Sequence, residues 1–145
     1  FLVLNGPNLN LLGKRETSIY GESNLGEIEC FTSAKLSELG LSVELDWVQT
    51  NIEGELVEHI QSVTDKYDGL VINPAGYSHT SISILDALRS LPVPVSEVHM
   101  SKVSSREEYR RKLVTAEAAT AVIEGAGKSS YVLGVMSLIF NLSSK

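Results

Sequence analysis

Residues 70–81 read LVINPAGYSHTS, and this stretch decides the fold. Its three leading apolar residues are typical of a strand buried in a parallel sheet. Pro74 and Gly76 cannot continue a central strand, because proline has no N–H for the ladder and glycine has no side chain to pack. Thr80 or Ser81 can then cap a helix whose apolar residues follow at helical spacing. The stretch therefore predicts a strand, a polar turn and a helix.

The polar turn in this stretch is the first candidate for a functional site. In open α/β sheets, ligands bind where strands end and where helix N-termini present free N–H groups. Asn73 and His79 lie on the turn and carry side chains that can hold an oxygen-rich ligand. Asn73 could equally satisfy the backbone of the turn, and His79 could be an ordinary surface histidine. The stretch alone leaves both interpretations open.

Length and composition fit one domain over residues 1–145. Hydrophobic residues make up 43% and charged residues 21%, as is typical of a soluble globular protein. The net charge of −6 argues against a protein that binds nucleic acid by electrostatics. No run reaches the roughly 18 apolar residues of a membrane span, and no signal peptide is visible. We therefore expect a cytoplasmic protein with no membrane and no nucleic-acid partner.

Cys30 is the only cysteine in the chain. A single cysteine excludes an internal disulfide and any metal site built from several cysteines. Because Cys30 falls in an amphipathic helical pattern, we expect a buried structural thiol.

Strand and helix patterns alternate along the whole chain. Strands are predicted at residues 1–4, 42–49, 70–72, 95–99 and 121–123. Helices are predicted at residues 25–39, 53–67, 81–91 and 130–142, and from residue 105 onward. This alternation predicts a single doubly wound, five-stranded parallel sheet of the α/β class. The second strand alternates apolar and polar residues as edge strands do, which favours the flavodoxin-like order 2-1-3-4-5.

Polar residues follow the first, third and fourth predicted strands, which are neighbours in that order. They are Asn8 after the first strand, Asn73 and His79 after the third, and His99 and Ser101 after the fourth. We therefore expect them to share one crevice. Glu97 and His99 stand at positions i and i+2 of a strand, where a carboxylate on the same face can fix a histidine tautomer.

Arginines and a tyrosine extend this set. Residues 105–108 resemble a capping box that opens a basic helix, on which Arg106 and Arg110 are one turn apart. A basic helix face is usually solvated, so this pair could also be structural. The loop before the first helix carries Arg15 and Tyr20. A tyrosine in a loop usually packs, but a nearby arginine makes it a candidate for a lowered pKa.

Several kinds of site are excluded by spacing. Neither a glycine-rich dinucleotide loop nor a complete phosphate loop is present, although residues 125–129 read GAGKS. The histidines and carboxylates lack the spacing of a zinc site. What remains is metal-free acid–base chemistry on an anionic, hydroxyl-bearing small molecule.

Motifs along nearly the whole chain resemble the type II 3-dehydroquinate dehydratases. They are NGPNLNLLG at residues 5–13, Arg15-Glu16, Tyr20-Gly21, QTN at 49–51, Glu53-Gly54, INP at 72–74, HTS at 79–81, EVHMS at 97–101, Arg106-Glu107 and Arg110. The resemblance implies a flavodoxin-like fold and the loss of water from 3-dehydroquinate to give 3-dehydroshikimate. The family's reaction is an anti elimination through an enolate, without a lysine Schiff base, and no cofactor is implied.

The resemblance also implies roles for individual residues. Tyr20 would be the base that removes the proton next to the ketone, with its pKa lowered by Arg15. His99, oriented by Glu97, would protonate the departing hydroxyl, and Asn8 would hold a water against the enolate oxygen.

The remaining matched residues would bind substrate. Asn73 and the backbone of Met100 and Ser101 would take the carboxylate. His79, Arg110 and Asp86 would hold the hydroxyls, and Arg106 belongs to the same substrate-binding set. The family's assembly is a homododecamer built from trimers, in which Asp86 would come from a neighbouring subunit.

The sequence departs from the family pattern at Thr17, Leu85, Lys102, Leu113 and Ser130. None of these departures removes a proton-transfer residue. The reaction could serve shikimate biosynthesis or quinate breakdown, because both contain this step. The alternatives are a flavodoxin-like module that binds small anions without catalysis, and a flavin or nucleotide enzyme, for which no phosphate loop is found.

Overall fold

The computed structural model describes residues 1–14, 18 and 21–144. Within these residues, five strands form one parallel sheet. They are β1 (Leu2–Asn5), β2 (Asp46–Gln49), β3 (Leu70–Asn73), β4 (Val95–His99) and β5 (Ala121–Glu124). Their order is β2-β1-β3-β4-β5, and every neighbouring pair is parallel. The predicted fold class and strand order are confirmed.

Helices cover both faces of the sheet. They are α1 (Leu25–Glu38), α2 (Glu53–Gln61), α3 (Val63–Lys66), α4 (Ile82–Arg89) and α5 (Ser129–Ser143). The face under α1 and α5 presents the strand residues Val3, Val71 and Val98. The face under α2 and α4 presents Leu2, Leu4, Leu70 and Ile72. This alternation along the strands follows from the two-residue period of a pleated strand, and it produces two cores.

The stretch at residues 70–81 folds as its sequence predicts. All four residues of β3 are buried, as expected for a central parallel strand. The Ser81 side chain accepts a hydrogen bond of 2.9 Å from the N–H of Ile84 and so caps α4. The capping box of α1 is also confirmed, because Asn24 and Glu27 each accept a hydrogen bond from the other's N–H.

The second predicted strand and the second predicted helix were too long. Strand β2 begins only at Asp46, where the register with Leu2 of β1 starts, so residues 42–45 face no partner strand. The predicted helix 53–67 is divided into α2 and α3 at Ser62, whose hydroxyl donates to the carbonyl of His59 at 2.8 Å. Such local side-chain bonds compete with a continuous helix.

The predicted basic helix from residue 105 is wrong. Residues 103–118 instead form three short 3-10 turns, at Val103–Ser105, Glu108–Arg110 and Thr115–Ala118. The Ser105 hydroxyl does not cap a helix, because it donates back to the carbonyl of Lys102 at 2.9 Å. Residues 105–112 also lack an apolar stripe that a helix could bury.

The prediction for Cys30 is also wrong. Its side chain is exposed on α1, whereas Ile28, Thr32 and Leu36 form the buried stripe of that helix. Two residues correspond to about 200° around a helix, so Cys30 points away from the face that Ile28 buries. Among the described helices, none combines the length and the apolar character that crossing a bilayer requires.

Helix α5 lies close to the sheet at Gly134, and this contact gives the first prediction. A Cβ at Gly134 would be 2.7 Å from Cγ1 of Val98 and 3.2 Å from Cγ1 of Val71. Because both valines are buried and stiff, we expect Gly134→Ala to lower the free energy of unfolding by about 1–3 kcal/mol.

Gly54→Ala is the matched control, because a Cβ at Gly54 in α2 would meet no atom within 4 Å. We expect that control to leave stability unchanged or to raise it by up to about 1 kcal/mol. Urea unfolding of the two variants measures the difference. Equal midpoints would show that α5 can move away from the sheet at no cost.

Candidate active site

A cleft of about 440 Å³ lies at the carboxyl edge of the sheet, where β1, β3 and β4 end. Eight of the predicted site residues line it. They are Asn8, Asn73, His79, His99, Met100, Ser101, Arg106 and Arg110. The crevice expected from the strand order is therefore present, and turns that are distant in sequence meet in it.

A buried carboxylate–histidine pair lies at the end of β4. Oε1 of Glu97 and Nε2 of His99 are 2.8 Å apart, and both side chains are almost fully buried. An ionised carboxylate can only accept, so Nε2 of His99 carries a proton toward Glu97. The other ring nitrogen, Nδ1, is then the one available for exchange with a ligand in the cleft. Oε2 of Glu97 is buried without a hydrogen-bond partner among the described residues.

The main chain of His99 is held as well as its ring. Its carbonyl accepts a 3.0 Å hydrogen bond from the hydroxyl of Ser130 and a 3.2 Å bond from the N–H of Gly125. Ser130 is fully buried near the start of α5. This residue is one of the departures from the family pattern, and its hydroxyl adds a tether between α5 and β4.

Asn73 ends β3 with both ends of its amide engaged. Its Oδ1 accepts from the N–H of Ala75 at 3.2 Å, and its Nδ2 donates to the hydroxyl of Tyr131 at 3.1 Å. Ala75 has a positive φ of 53°, so this side chain stabilises a turn in the left-handed region. Of the two interpretations of Asn73, the turn bond is therefore present, and the residue also lines the cleft.

Tyr131 is a residue that the sequence reasoning missed. Its ring is fully buried under the sheet. Burial raises the pKa of the Tyr131 hydroxyl, and the hydrogen bond from Asn73 offsets only part of that effect. In the sequence, Tyr131 looks like one more core position of an amphipathic helix, and only its hydroxyl distinguishes it from Val132 or Val135. A buried tyrosine usually needs a polar partner, which is the signal that could have identified it.

Asn8 is held by the turn that follows β2. Its backbone is left-handed, with φ of 68°, a conformation that asparagine tolerates better than most residues. Its N–H donates to Oδ1 of Asn51 at 2.9 Å. Gln49 donates to the same oxygen at 3.1 Å and to the carbonyl of Gly6 at 3.2 Å. The QTN motif at residues 49–51 therefore positions the turn that carries Asn8.

Arg106 and Arg110 both line the cleft, although no helix joins them. The carboxylate of Glu107 lies between them, 3.2 Å from Nε of Arg106 and 3.4 Å from Nε of Arg110. Arg106 also donates to the hydroxyl of Ser101 at 3.4 Å. The pKa of Glu107 is lowered, first by a backbone hydrogen bond and then by the charges of the two arginines. Two cations thus face one wall of the cleft.

His79 has a defined tautomer. Its Nδ1 lies 3.0 Å from the carbonyl of Lys112, and because a carbonyl can only accept, Nδ1 carries the proton. Its Nε2 is 3.5 Å from the hydroxyl of Ser78. His79 is half-buried and lines the cleft.

Four of the predicted site residues are not among the described residues that line the cleft. Glu97 is fully buried and bonded to His99. Arg15 and Tyr20 lie outside the described residues, as does Thr17. Asp86 is exposed on α4 and does not line the cleft of its own chain.

The described residues can therefore exchange a proton at His99 and bind an anion beside Arg106, Arg110 and Asn73. Arginine forks and amide donors favour a carboxylate, and a histidine held by a carboxylate is suited to acid–base work near neutral pH. Within the described ranges, no three His, Cys, Asp or Glu side chains cluster as metal ligands would.

Comparisons with known proteins agree over nearly the whole chain. The sequence model of the class II dehydroquinases matches residues 1–139. A curated 3-dehydroquinate dehydratase from Clostridium botulinum (strain Loch Maree / Type A3) is 49% identical over 142 residues, which are 98% of this chain and 95% of that protein.

Two solved structures show the same agreement. The crystal structure of a type II dehydroquinase from Butyrivibrio crossotus superposes with a TM-score of 0.89 at 38% identity and covers 95% of each chain. A type II dehydroquinase from Propionibacterium acnes has the same TM-score and identity, covering 97% of this chain and 95% of its own. The chain belongs to the class II dehydroquinase family.

Proposed function

We propose that this chain is a hydro-lyase that removes water from 3-dehydroquinate to give 3-dehydroshikimate, by anti elimination through an enolate. The observation that carries the proposal is the buried Glu97–His99 pair, 2.8 Å apart, opening on a cleft with two arginines. This pair provides a proton donor beside an anion site, which the elimination of water from a hydroxy acid requires.

His99 acts as the general acid in this proposal. In its imidazolium form, Nε2–H stays bound to Glu97, and the Nδ1–H proton is the one left to transfer. As the C–O bond breaks, that proton passes to the departing hydroxyl, which leaves as water. The Glu97 carboxylate stabilises the imidazolium before transfer and keeps the ring oriented after it.

Tyr20 acts as the base, supported by the matched sequence motif. The phenolate removes the proton next to the ketone, and the electron pair of that C–H bond becomes the enolate. For Tyr20 to work near neutral pH, its pKa must fall from about 10 to about 7, which corresponds to about 4 kcal/mol. Arg15, five residues away in the sequence, supplies the cation for that change.

The other cleft residues bind substrate. Asn73 and the backbone at Met100 and Ser101 take the carboxylate, while His79 and Arg110 hold hydroxyls and Arg106 adds positive charge at the same wall. Asn8 holds a water against the enolate oxygen. The bonds described above support this assignment, because they fix the side chains of Asn73 and His79 and the backbone of Asn8 before substrate arrives.

Asp86 reaches a substrate-binding cleft only when subunits assemble. We place it in the cleft of a neighbouring subunit of a homododecamer built from trimers. Its exposure on α4, together with that of Ile82 on the same helix, leaves this surface available for such a contact. We further propose a cytoplasmic enzyme that serves shikimate biosynthesis or quinate breakdown, and no cofactor.

Formation of product is the first test of the proposal. The product contains a conjugated enone, so we expect the purified protein to generate ultraviolet absorbance from 3-dehydroquinate. We expect the same rate in the presence of a chelator. A module that only binds small anions would take up 3-dehydroquinate without any change in enone absorbance, and that result would refute the proposed activity.

The roles of His99 and Glu97 give a further prediction. We expect His99→Gln to lower kcat by about 10²–10⁴, the usual contribution of a general acid. Glu97→Gln should lower kcat less, because the ring keeps a hydrogen-bond partner but loses the charge that stabilises the imidazolium. The control is Glu124→Gln, which removes the same charge from the neighbouring strand, where Glu124 binds Ser104 outside the cleft. If steady-state kinetics showed that Glu124→Gln lowers kcat as much as Glu97→Gln does, the role assigned to Glu97 would be excluded.

The role of Arg15 is tested by pH dependence. If Arg15 lowers the pKa of Tyr20, Arg15→Ala returns that pKa toward its ordinary value. The remaining kcat/KM should then rise with pH over a range where the wild-type profile is already flat. The pH profile of Arg15→Lys should lie between those of the wild-type protein and Arg15→Ala, because lysine keeps the charge and loses the planar fork. A profile that is merely scaled down, with no shift of its ascending limb, would leave Arg15 as a binding residue only.

A further inference from the structure

A buried chain of four hydrogen bonds runs beneath the cleft and links α5 to three strands. It passes from the N–H of Ala75 to Asn73, from Asn73 to Tyr131, from Tyr131 to Asn5, and from Asn5 to the carbonyl of Val48. The four distances are 3.2, 3.1, 2.6 and 3.4 Å. Only Asn73 among its side chains lines the cleft.

The direction of this chain is fixed by its two backbone ends. The N–H of Ala75 can only donate, so the Asn73 amide must turn its oxygen toward it. The carbonyl of Val48 can only accept, so the Asn5 amide must turn its nitrogen toward that carbonyl. Asn5 therefore presents its oxygen to Tyr131.

The hydroxyl of Tyr131 completes the chain from both sides. Because Asn5 offers only an acceptor there, the hydroxyl must donate to it, at 2.6 Å. Because the single O–H of Tyr131 donates to Asn5, the hydroxyl oxygen can only accept a second hydrogen bond. The group that donates to it must therefore be the amide nitrogen of Asn73. The Asn73 amide nitrogen has two N–H groups, and one of them donates a hydrogen bond to the Tyr131 hydroxyl. The second N–H is left to donate to a ligand in the cleft.

The surroundings keep this arrangement in one state. Tyr131 and Asn5 are fully buried, and Asn73 is 4% exposed. The Trp47 ring packs against Tyr131 with centroids 5.2 Å apart. Burial raises the pKa of the Tyr131 hydroxyl, so that its proton stays in place across the neutral range. A reversed amide would set N–H against N–H at Ala75, which is costly in a buried site.

We propose that Tyr131 is a positioning residue that holds the Asn73 amide with an N–H toward the cleft, so that this wall receives an anionic oxygen. The inference rests on the proposed function, in which Asn73 binds the substrate carboxylate. Tyr131 itself touches no substrate and moves no proton in the reaction.

Tyr131→Phe tests this role by removing only the hydroxyl. We expect KM for 3-dehydroquinate to rise about three- to tenfold, because the Asn73 amide keeps its bond from Ala75 but loses the neutral hydrogen bond that fixes its nitrogen end, while kcat stays within about threefold. A second measurement uses quinate, a non-reacting hydroxy acid, whose Kd from calorimetry should rise by the same factor. Absence of turnover by the wild-type protein would refute the proposed function and still leave the quinate comparison to decide the role of Tyr131.

A double-mutant cycle separates positioning from general damage. If Tyr131 acts through Asn73, Tyr131→Phe should add almost nothing to the KM of Asn73→Ala. The control is Ser137→Ala, which also removes a hydroxyl from α5. The Ser137 hydroxyl bonds to Gly134 and Ser96, neither of which lines the cleft. We expect that control to leave KM unchanged.

Asn5→Ala is the second variant, in case Tyr131→Phe does not fold. It removes the acceptor of the Tyr131 proton, so that this hydroxyl can donate to the Asn73 oxygen instead of accepting from the Asn73 nitrogen, and we expect KM to rise in the same direction. Unchanged KM and quinate Kd in the folded variants would overturn the proposal. The proposal would also be overturned if Tyr131→Phe raised KM by the same factor in the Asn73→Ala background as in the wild-type protein.

Discussion

Polar side chains are buried at the ends of three neighbouring strands, and each of them must find a partner there. Asn5 ends β1, Asn73 ends β3, and Glu97 and His99 lie at the end of β4, all nearly inaccessible to solvent. A buried polar group without a hydrogen bond costs about 1–3 kcal/mol. The partners come from one another, from α5 and from neighbouring turns. The geometry of the cleft follows from this requirement.

The strand order brings these ends together. Because β1, β3 and β4 are adjacent in a parallel sheet, their carboxyl ends meet at one edge although they are distant in sequence. The edge strand β2 contributes through its last residue, Gln49, and through Asn51 in the turn after it, which together hold the turn of Asn8. The Glu97–His99 pair, the two arginines and the Asn73 amide therefore have fixed positions around one cleft.

Features encoded by a few consecutive residues could be predicted from the sequence. The buried strand at residues 70–73, the Ser81 cap and the capping box at Asn24 depend on local chemistry. The Glu97–His99 pair was predictable as well, because both residues share one strand face. Features that depend on distant packing were not predictable, as Tyr131 and Asn5 are 126 residues apart in the chain.

The wrong predictions share a physical cause. Residues 105–108 match a helix-opening motif, but no apolar face follows that could bury the helix, and short turns form instead. Cys30 was assigned to the core from the overall pattern of α1, yet the buried stripe is narrower than that pattern indicated. In both cases a local motif was read without the tertiary surface that has to receive it.

Ser130 and Tyr131 are consecutive residues, yet they bind residues at the ends of two different strands. Ser130 binds the main chain of His99 on β4, while Tyr131 binds the side chain of Asn73 on β3. The first turn of α5 is thus hydrogen-bonded to both His99 and Asn73. Because close-packed interiors move as units, a displacement of this turn carries both groups with it. We therefore expect the spacing between His99 and Asn73 to change less than the position of either residue when α5 moves.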